Sequence, residues 1–295
     1  MQVLIIKLNA TGDVVRTSTL LHKLTGEITW VTAKNNVSLF DDLAANVKCV
    51  CWGTDELNAL RGSAYDLVIS LEDELDTANF VKSLKYQQLF GAYVDDSGKM
   101  RYTDSAKAWF DLSMISVHGR AKADQLKYEN RRTYQDLVFE GLGYRFAGEK
   151  YILPKVPFTD LRGDVAIAPV AGKVWPMKAW AYYEQLKTEL ETRGFKVNML
   201  PFRETLKEHI GDIQGHRCLV GGDSLPMHLA LGVNVPCVSL FNCTSPWEIH
   251  DYGIQTKFIS PLIGEFFYKR TFDARATTAI SLEDVLAATL KYCKR

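Results

Sequence analysis

An α/β fold in two domains is what the sequence predicts, and three observations carry that prediction. Apolar runs of strand length alternate with segments of helical period along most of the chain. At 295 residues and 47% apolar content the chain is long enough to bury two cores. Residues 218–241 read without interruption as strand, tight turn, helix and strand, the unit from which parallel sheets are built.

The first series runs strand 3–8, helix 14–24, strand 27–32, helix 37–43 and strands 48–52 and 66–71, a rhythm that predicts a parallel sheet covered by helices. Residues 93–132 break it: the turn signal Asp95-Asp96-Ser97-Gly98 is followed by a mixed polar and aromatic stretch, expected as an insertion or lid. An amphipathic helix over 134–142 stops at Gly143. Residues 147–162 carry Pro154 and Pro157 with little periodicity and are expected as the linker, which puts the domains at 1–155 and 156–295. The second series is strand 165–169, helix 177–193 ended by Gly194, strands 196–200 and 218–221, the turn helix, and strands 235–241 and 257–260. A last helix starts at Ser281, whose hydroxyl can cap while Asp284 supports the first turn, and reaches about Lys291.

Charge and cysteine content exclude several classes. Thirty-five basic and 35 acidic residues give a formal net charge of zero, so no global field draws nucleic acid and an anionic ligand must be held by local groups. The N-terminal apolar run is far shorter than the ~20 residues a membrane helix needs, and the chain is read as cytoplasmic with no transmembrane segment. None of the six cysteines pairs at zinc-site spacing; Cys49 and Cys51 alternate along a strand and are expected as core thiols.

The turn at 221–224 is the strongest chemical signal. Gly221 and Gly222 permit a sharp reversal, and Asp223 and Ser224 are short polar residues that start helices. Unpaired N–H groups at such a helix start, with the helix dipole, favour a phosphate by roughly 0.3–1 kcal/mol. An ordinary strand-to-helix turn is the competing reading. His228 shares the helix face leaving the turn, against the alternative of a satisfied core histidine. Lys173, in a loop of small residues after strand 165–169, can approach a phosphate or sit solvated; Thr244 and Ser245 end the next strand and can offer hydroxyls or form a plain turn. Trp175 and Trp180 are expected in packing. In the first domain Gly12-Asp13 ends the first strand, where open α/β sheets present ligand-binding residues, although an aspartate there is also a good helix cap. Glu72, Asp73, Glu74 and Asp76 can bind a metal or a polyhydroxylated acceptor, or serve the start of a helix. His118, Arg120, Lys122, Lys127, Arg131 and Arg132 concentrate positive charge, as an anion clamp or a solvated helix face.

Four of these features occur together in one family. Gly12-Asp13-Val-Val, Lys173-Val-Trp175-Pro176, Asp223-Ser224-Leu225-Pro226-Met227-His228 and Phe241-Asn242-Cys243-Thr244-Ser245-Pro246 match in order and spacing the motifs of the lipopolysaccharide heptosyltransferases, which the chain resembles. Leu225 and Asn242 stand where that family usually has glycine. The resemblance implies a GT-B glycosyltransferase of two Rossmann-like domains facing a cleft, the first binding acceptor and the second nucleotide-sugar. It implies inversion in one displacement, no required metal or cofactor, and ADP-heptose as the favoured co-substrate. Asp13 is then the catalytic base, with Gly12, Glu72 and Arg120 on the acceptor side. Lys173, Asp223, Ser224, Leu225, His228, Thr244 and Ser245 bind the donor. The implied acceptor is a carbohydrate or other hydroxylated molecule, often anionic or lipid-linked, which suits an enzyme at the inner face of the membrane. Alternatives are a nucleotide-sugar epimerase or hydrolase of the same fold, or a silent family member acting as a scaffold. A dinucleotide oxidoreductase is disfavoured because no G-x-G-x-x-G follows the first strand.

Overall fold

The computed structural model describes residues 1–112 and 118–293, and the chain divides into two compact units, Met1–Lys155 and Val156–Arg295. In the first unit β1 (Gln2–Ile6), α1 (Thr11–Thr17), β2 (Glu27–Thr32), β3 (Val47–Cys51), α2 (Asp55–Ala59), β4 (Ala64–Ser70) and α3 (Leu75–Lys82) precede β5 (Lys85–Val94) and β6 (Met100–Tyr102). Helices α4 (Lys107–Phe110), α5 (Arg120–Glu129) and α6 (Tyr134–Gly141) complete it. The sheet order is β3-β2-β1-β4-β5-β6, parallel except for the β5–β6 hairpin. Val3, Leu4, Ile5 and Ile6 are all buried, as a central parallel strand covered on both faces requires. Strand order reverses between β1 and β4, which opens a ligand position beyond their carboxyl ends.

The helices expected at 14–24 and 37–43 are shorter and tighter than their apolar period suggests. α1 ends at Thr17 and passes into a 3-10 turn, Ser18–His22, and the second segment is the 3-10 turn Lys34–Phe40. Three consecutive hydroxyls explain the first case: Thr17, Ser18 and Thr19 donate back to the carbonyls of Asp13, Val15 and Arg16 at 2.6, 2.5 and 2.8 Å. The stretch 93–132 is not a simple insertion. It begins as the end of β5 and turns into β6, with Asp95 Oδ1 accepting from the backbone N–H groups of Ser97 and Lys99 and Gly98 at φ 82°. α4 and α5 follow, and residues 113–117 of this stretch lie outside the described residues.

The second unit holds β7 (Val165–Ala168), a 3-10 turn at Pro176–Lys178, α7 (Tyr183–Thr192), β8 (Val197–Met199), α8 (Leu206–Gln214), β9 (Cys218–Gly222) and α9 (Leu225–Gly232). It continues with β10 (Cys237–Phe241), β11 (Gln255–Ile259), α10 (Ile263–Phe266), α11 (Ala274–Thr278) and α12 (Leu282–Cys293). The five strands are all parallel, in the order β11-β10-β9-β7-β8, with the reversal between β7 and β9. Leu186 and Leu190 of α7 and Val285 and Ala288 of α12 pack on Val165, Ile167, Val220, Val238 and Leu240. The single helix expected over 177–193 is interrupted because Asn242 Nδ2 takes the carbonyl of Ala179 at 2.8 Å and Ala181 N–H donates to Thr277 O, so the intervening backbone cannot close helical bonds. Trp180 is core, its indole N–H donating to Ile280 O at 2.9 Å, and Ser281 caps α12 by accepting from Asp284 N–H. Cys218, Cys237, Cys243 and Cys293 are buried free thiols, whereas Cys49 and Cys51 are only half-buried because β3 is an edge strand.

Candidate functional site

Beyond the carboxyl end of β1 the chain is fastened by one acid. Glu72 Oε1 accepts from Lys7 Nζ at 2.7 Å and from the backbone N–H groups of Leu8 at 2.7 Å and Asn9 at 3.0 Å, with both side chains buried. Glu72 thus satisfies the loop donors that a strand end leaves open, and fixes the path into α1. Of its acidic neighbours, Glu74 is the N-cap residue of α3 and Asp76 lies in its first turn; no cluster of acids, histidines and cysteines fit for a metal occurs among the described residues.

Asp13 is not the cap of α1. The helix begins at Thr11, with Ala10 as N-cap in the left-handed region at φ 55°, so Gly12 and Asp13 occupy the second and third helical positions. Asp13 Oδ1 accepts from Arg16 Nε at 3.0 Å and Nη2 at 2.8 Å, and its side chain is 26% exposed against 8% for Arg16. The guanidinium lies 4.4 Å over the ring of Tyr134, whose hydroxyl meets Thr17 Oγ1 at 2.5 Å. Burial pushes the Tyr134 hydroxyl up in pKa, and Asp13 and Glu72 add to the rise. The result is an oriented aspartate beside the β1/β4 reversal, partly open to solvent. Arg120, the first residue of α5, is exposed.

In the second unit three loops at the sheet's carboxyl end are joined by a clasp that sequence reading did not find. Lys178 Nζ, from the 3-10 turn after β7, donates to Asp223 O at 2.6 Å and Oδ2 at 3.0 Å; Thr244 Oγ1, after β10, donates to the same Oδ2 at 2.7 Å. Burial opposes ionisation of Asp223, but Lys178, His228 and Thr244 together hold its carboxyl down to about 2. Forty-five residues separate Lys178 from Asp223, so only the fold brings them together. Gly221 and Gly222 serve this approach rather than a reversal: both belong to β9, and a Cβ on Gly222 would sit 2.8 Å from Lys178 O.

Lys173 is exposed and makes no hydrogen bond or ion pair with the described residues. Ser224 is the N-cap of α9 but its Oγ turns back to Gly222 O at 3.3 Å. Leu225 and Pro226 open the helix; proline has no N–H, and Met227 N–H already donates to Ser224 O at 3.1 Å, so the turn offers fewer free donors than its period suggests. His228, Thr244 and Ser245 are buried, and Ser245 Oγ and Asn242 Oδ1 have no hydrogen-bond partner among the described residues.

Two α/β units with these strand orders define a fold of the GT-B class. Solved proteins agree with that along 99% of this chain: the E. coli heptosyltransferase WaaC with ADP, at 15% identity, 100% of that chain and a TM-score of 0.64; a family 9 glycosyltransferase from Veillonella parvula, at 16%, 97% and 0.68 over the same share of this chain, 99%; and E. coli ADP-heptose lipopolysaccharide heptosyltransferase II, at 14%, 98% and 0.61, again over 99% of this chain. No curated protein sequence matches. Residues 174–265, which include Lys178, Asp223, His228 and Thr244, match the family described as glycosyltransferase family 9 (heptosyltransferase). Within that segment the chain is similar to glycosyltransferase family 9, and along its whole length it shares the fold of the solved heptosyltransferases. Among the described residues no helix is long and apolar enough to cross a membrane.

Proposed function

We propose that this glycosyltransferase inverts configuration while moving a heptose or related sugar from a nucleoside diphosphate to a hydroxyl acceptor, with Asp13 as general base. The observation that carries the proposal is the Asp13 carboxylate, partly exposed at the β1/β4 reversal and oriented through one oxygen by a buried arginine. A base needs an accessible, fixed acceptor for the proton of the attacking hydroxyl, and typically contributes 10²–10⁴-fold. The second unit, 156–295, takes the donor, with Lys173, Ser224, Leu225, His228 and Ser245 around the β7/β9 reversal and Asp223 and Thr244 bracing it; the first, 1–155, takes the acceptor through Gly12 and Arg120, with Glu72 supporting the loop. ADP-heptose is the favoured donor, in keeping with the family 9 segment and with the ADP bound by WaaC. No metal or cofactor is assigned to the reaction, and the protein is placed in the cytoplasm, at the membrane's inner face when its acceptor is lipid-linked.

The test is transfer from ADP-heptose to a panel of hydroxylated acceptors, with the anomeric configuration of the product read by NMR, beside a thermal-shift panel of ADP, UDP, GDP and CMP. A true donor nucleotide at one hundred times its Kd should stabilise the fold by ~2.7 kcal/mol. Nucleotide binding without transfer or hydrolysis would favour the scaffold reading, for which the Leu225-Pro226 start of α9 is the supporting feature.

A further inference from the structure

Trp175 lies two residues past Lys173, half-exposed, at the start of the 3-10 turn after β7. Its ring meets Tyr268 edge-on at 5.2 Å, and the guanidinium carbon of Arg270 stands 5.3 Å from its centroid. The segment bearing Tyr268 and Arg270 follows α10 and is pinned to the loop after β10: Tyr268 N–H donates to Cys243 O at 2.8 Å, one residue before Thr244. Tyr268 also holds the left-handed backbone at φ 49° and packs on Phe267, which in turn meets Trp247. A chain of rings therefore sets Arg270 beside the loops that carry Lys173 and Thr244.

The charge of Arg270 is left for something outside the chain. Its neighbour Arg275 is consumed by Glu265 and Asp273, and Arg193, Arg203 and Arg217 pair with Glu189, Asp212 and Asp164. Arg270 is exposed and pairs with no carboxylate among the described residues. A guanidinium resting on an aromatic face keeps its planar fork oriented and its donors available, the arrangement that suits bidentate capture of phosphate oxygens. With zero net charge on the chain, such a local cation beside exposed Lys173 is where an anion gains most.

We propose that Arg270, carried on Trp175, binds the diphosphate of a nucleoside diphosphate donor together with Lys173. The residue lies beyond the family-matched segment, and the proposal rests on the donor reading given above. The experiment is calorimetric titration of the full chain with ADP, AMP and inorganic pyrophosphate, comparing the parent with Arg270→Gln and Arg270→Lys. Arg270→Gln should weaken ADP and pyrophosphate by roughly tenfold and AMP by less than about threefold, with Arg270→Lys recovering part of the loss, because a charge-assisted fork is replaced by a neutral amide or a point charge. Equal ADP affinity in parent and Arg270→Gln would overturn the proposal while leaving the donor reading intact. So would an equal loss for ADP and AMP with pyrophosphate unchanged, which would make Arg270 a base contact. A parent that binds no ADP, UDP, GDP or CDP would remove the donor reading and this proposal with it.

Discussion

Each unit places an aspartate beyond a strand that flanks its order reversal, Asp13 after β1 and Asp223 after β9, and uses it differently. Asp13 accepts through Oδ1 from a cation of its own helix and keeps 26% of its side chain exposed. Asp223 is 14% exposed and spends its carboxylate on Lys178 and Thr244 from two other loops. An acid that ties loops together is a poor base, because its lone pairs are already committed and its pKa is held down to about 2. The structural duty that Asp223 carries in the second unit falls in the first to Glu72, and the proposed function gives Asp13 the role of base.

The largest stability effect expected from this division is at Glu72. Glu72→Ala strands the buried Lys7 charge and two loop N–H groups, and should cost about 3–5 kcal/mol in a urea titration. Asp223→Ala should cost about 3 kcal/mol, somewhat less because Lys178 retains 17% side-chain exposure and can reach water. A loss below about 1 kcal/mol at either position would erase the contrast with Asp13.

The pH dependence sharpens it further. Asp223 is held below its ordinary 3.8, so its contribution is fully present above that value and lost as pH falls from about 4 towards 2. Linkage makes this about 2 kcal/mol, absent in Asp223→Asn. His209 and His216, lowered mainly by burial, contribute stability that is present above their ordinary 6.5 and lost as pH drops below it, so the two windows separate in an acid titration. The smallest effect is Thr244→Val, which removes one hydrogen bond to Asp223 and should cost about 1 kcal/mol.

Much of this architecture was legible in the sequence. Apolar runs marked β1, β2, β7, β9 and β10 because buried parallel strands must be apolar on both faces. β5 escaped because Lys85, Tyr86, Gln87 and Gln88 are exposed and its apolar half comes late. α8 was passed over although Thr205 and Glu208 form a capping box, a signal that would have found it. The start of α1 was misplaced because alanine at φ 55° gives no sequence cue. Local pattern singles out Asp223, His228 and Thr244, whereas the contacts of Lys178 with Asp223 and of Arg270 with Trp175 exist only in the folded chain.

Asp13→Asn and Asp223→Asn, measured side by side for glycosyl transfer and for melting temperature, test the central claim most directly. Asp13→Asn should lose ~10²–10⁴-fold in turnover with its melting temperature nearly unchanged, whereas Asp223→Asn should lose melting temperature first and activity in proportion to unfolding. Near-normal turnover in Asp13→Asn, or a fully stable Asp223→Asn, would contradict the account.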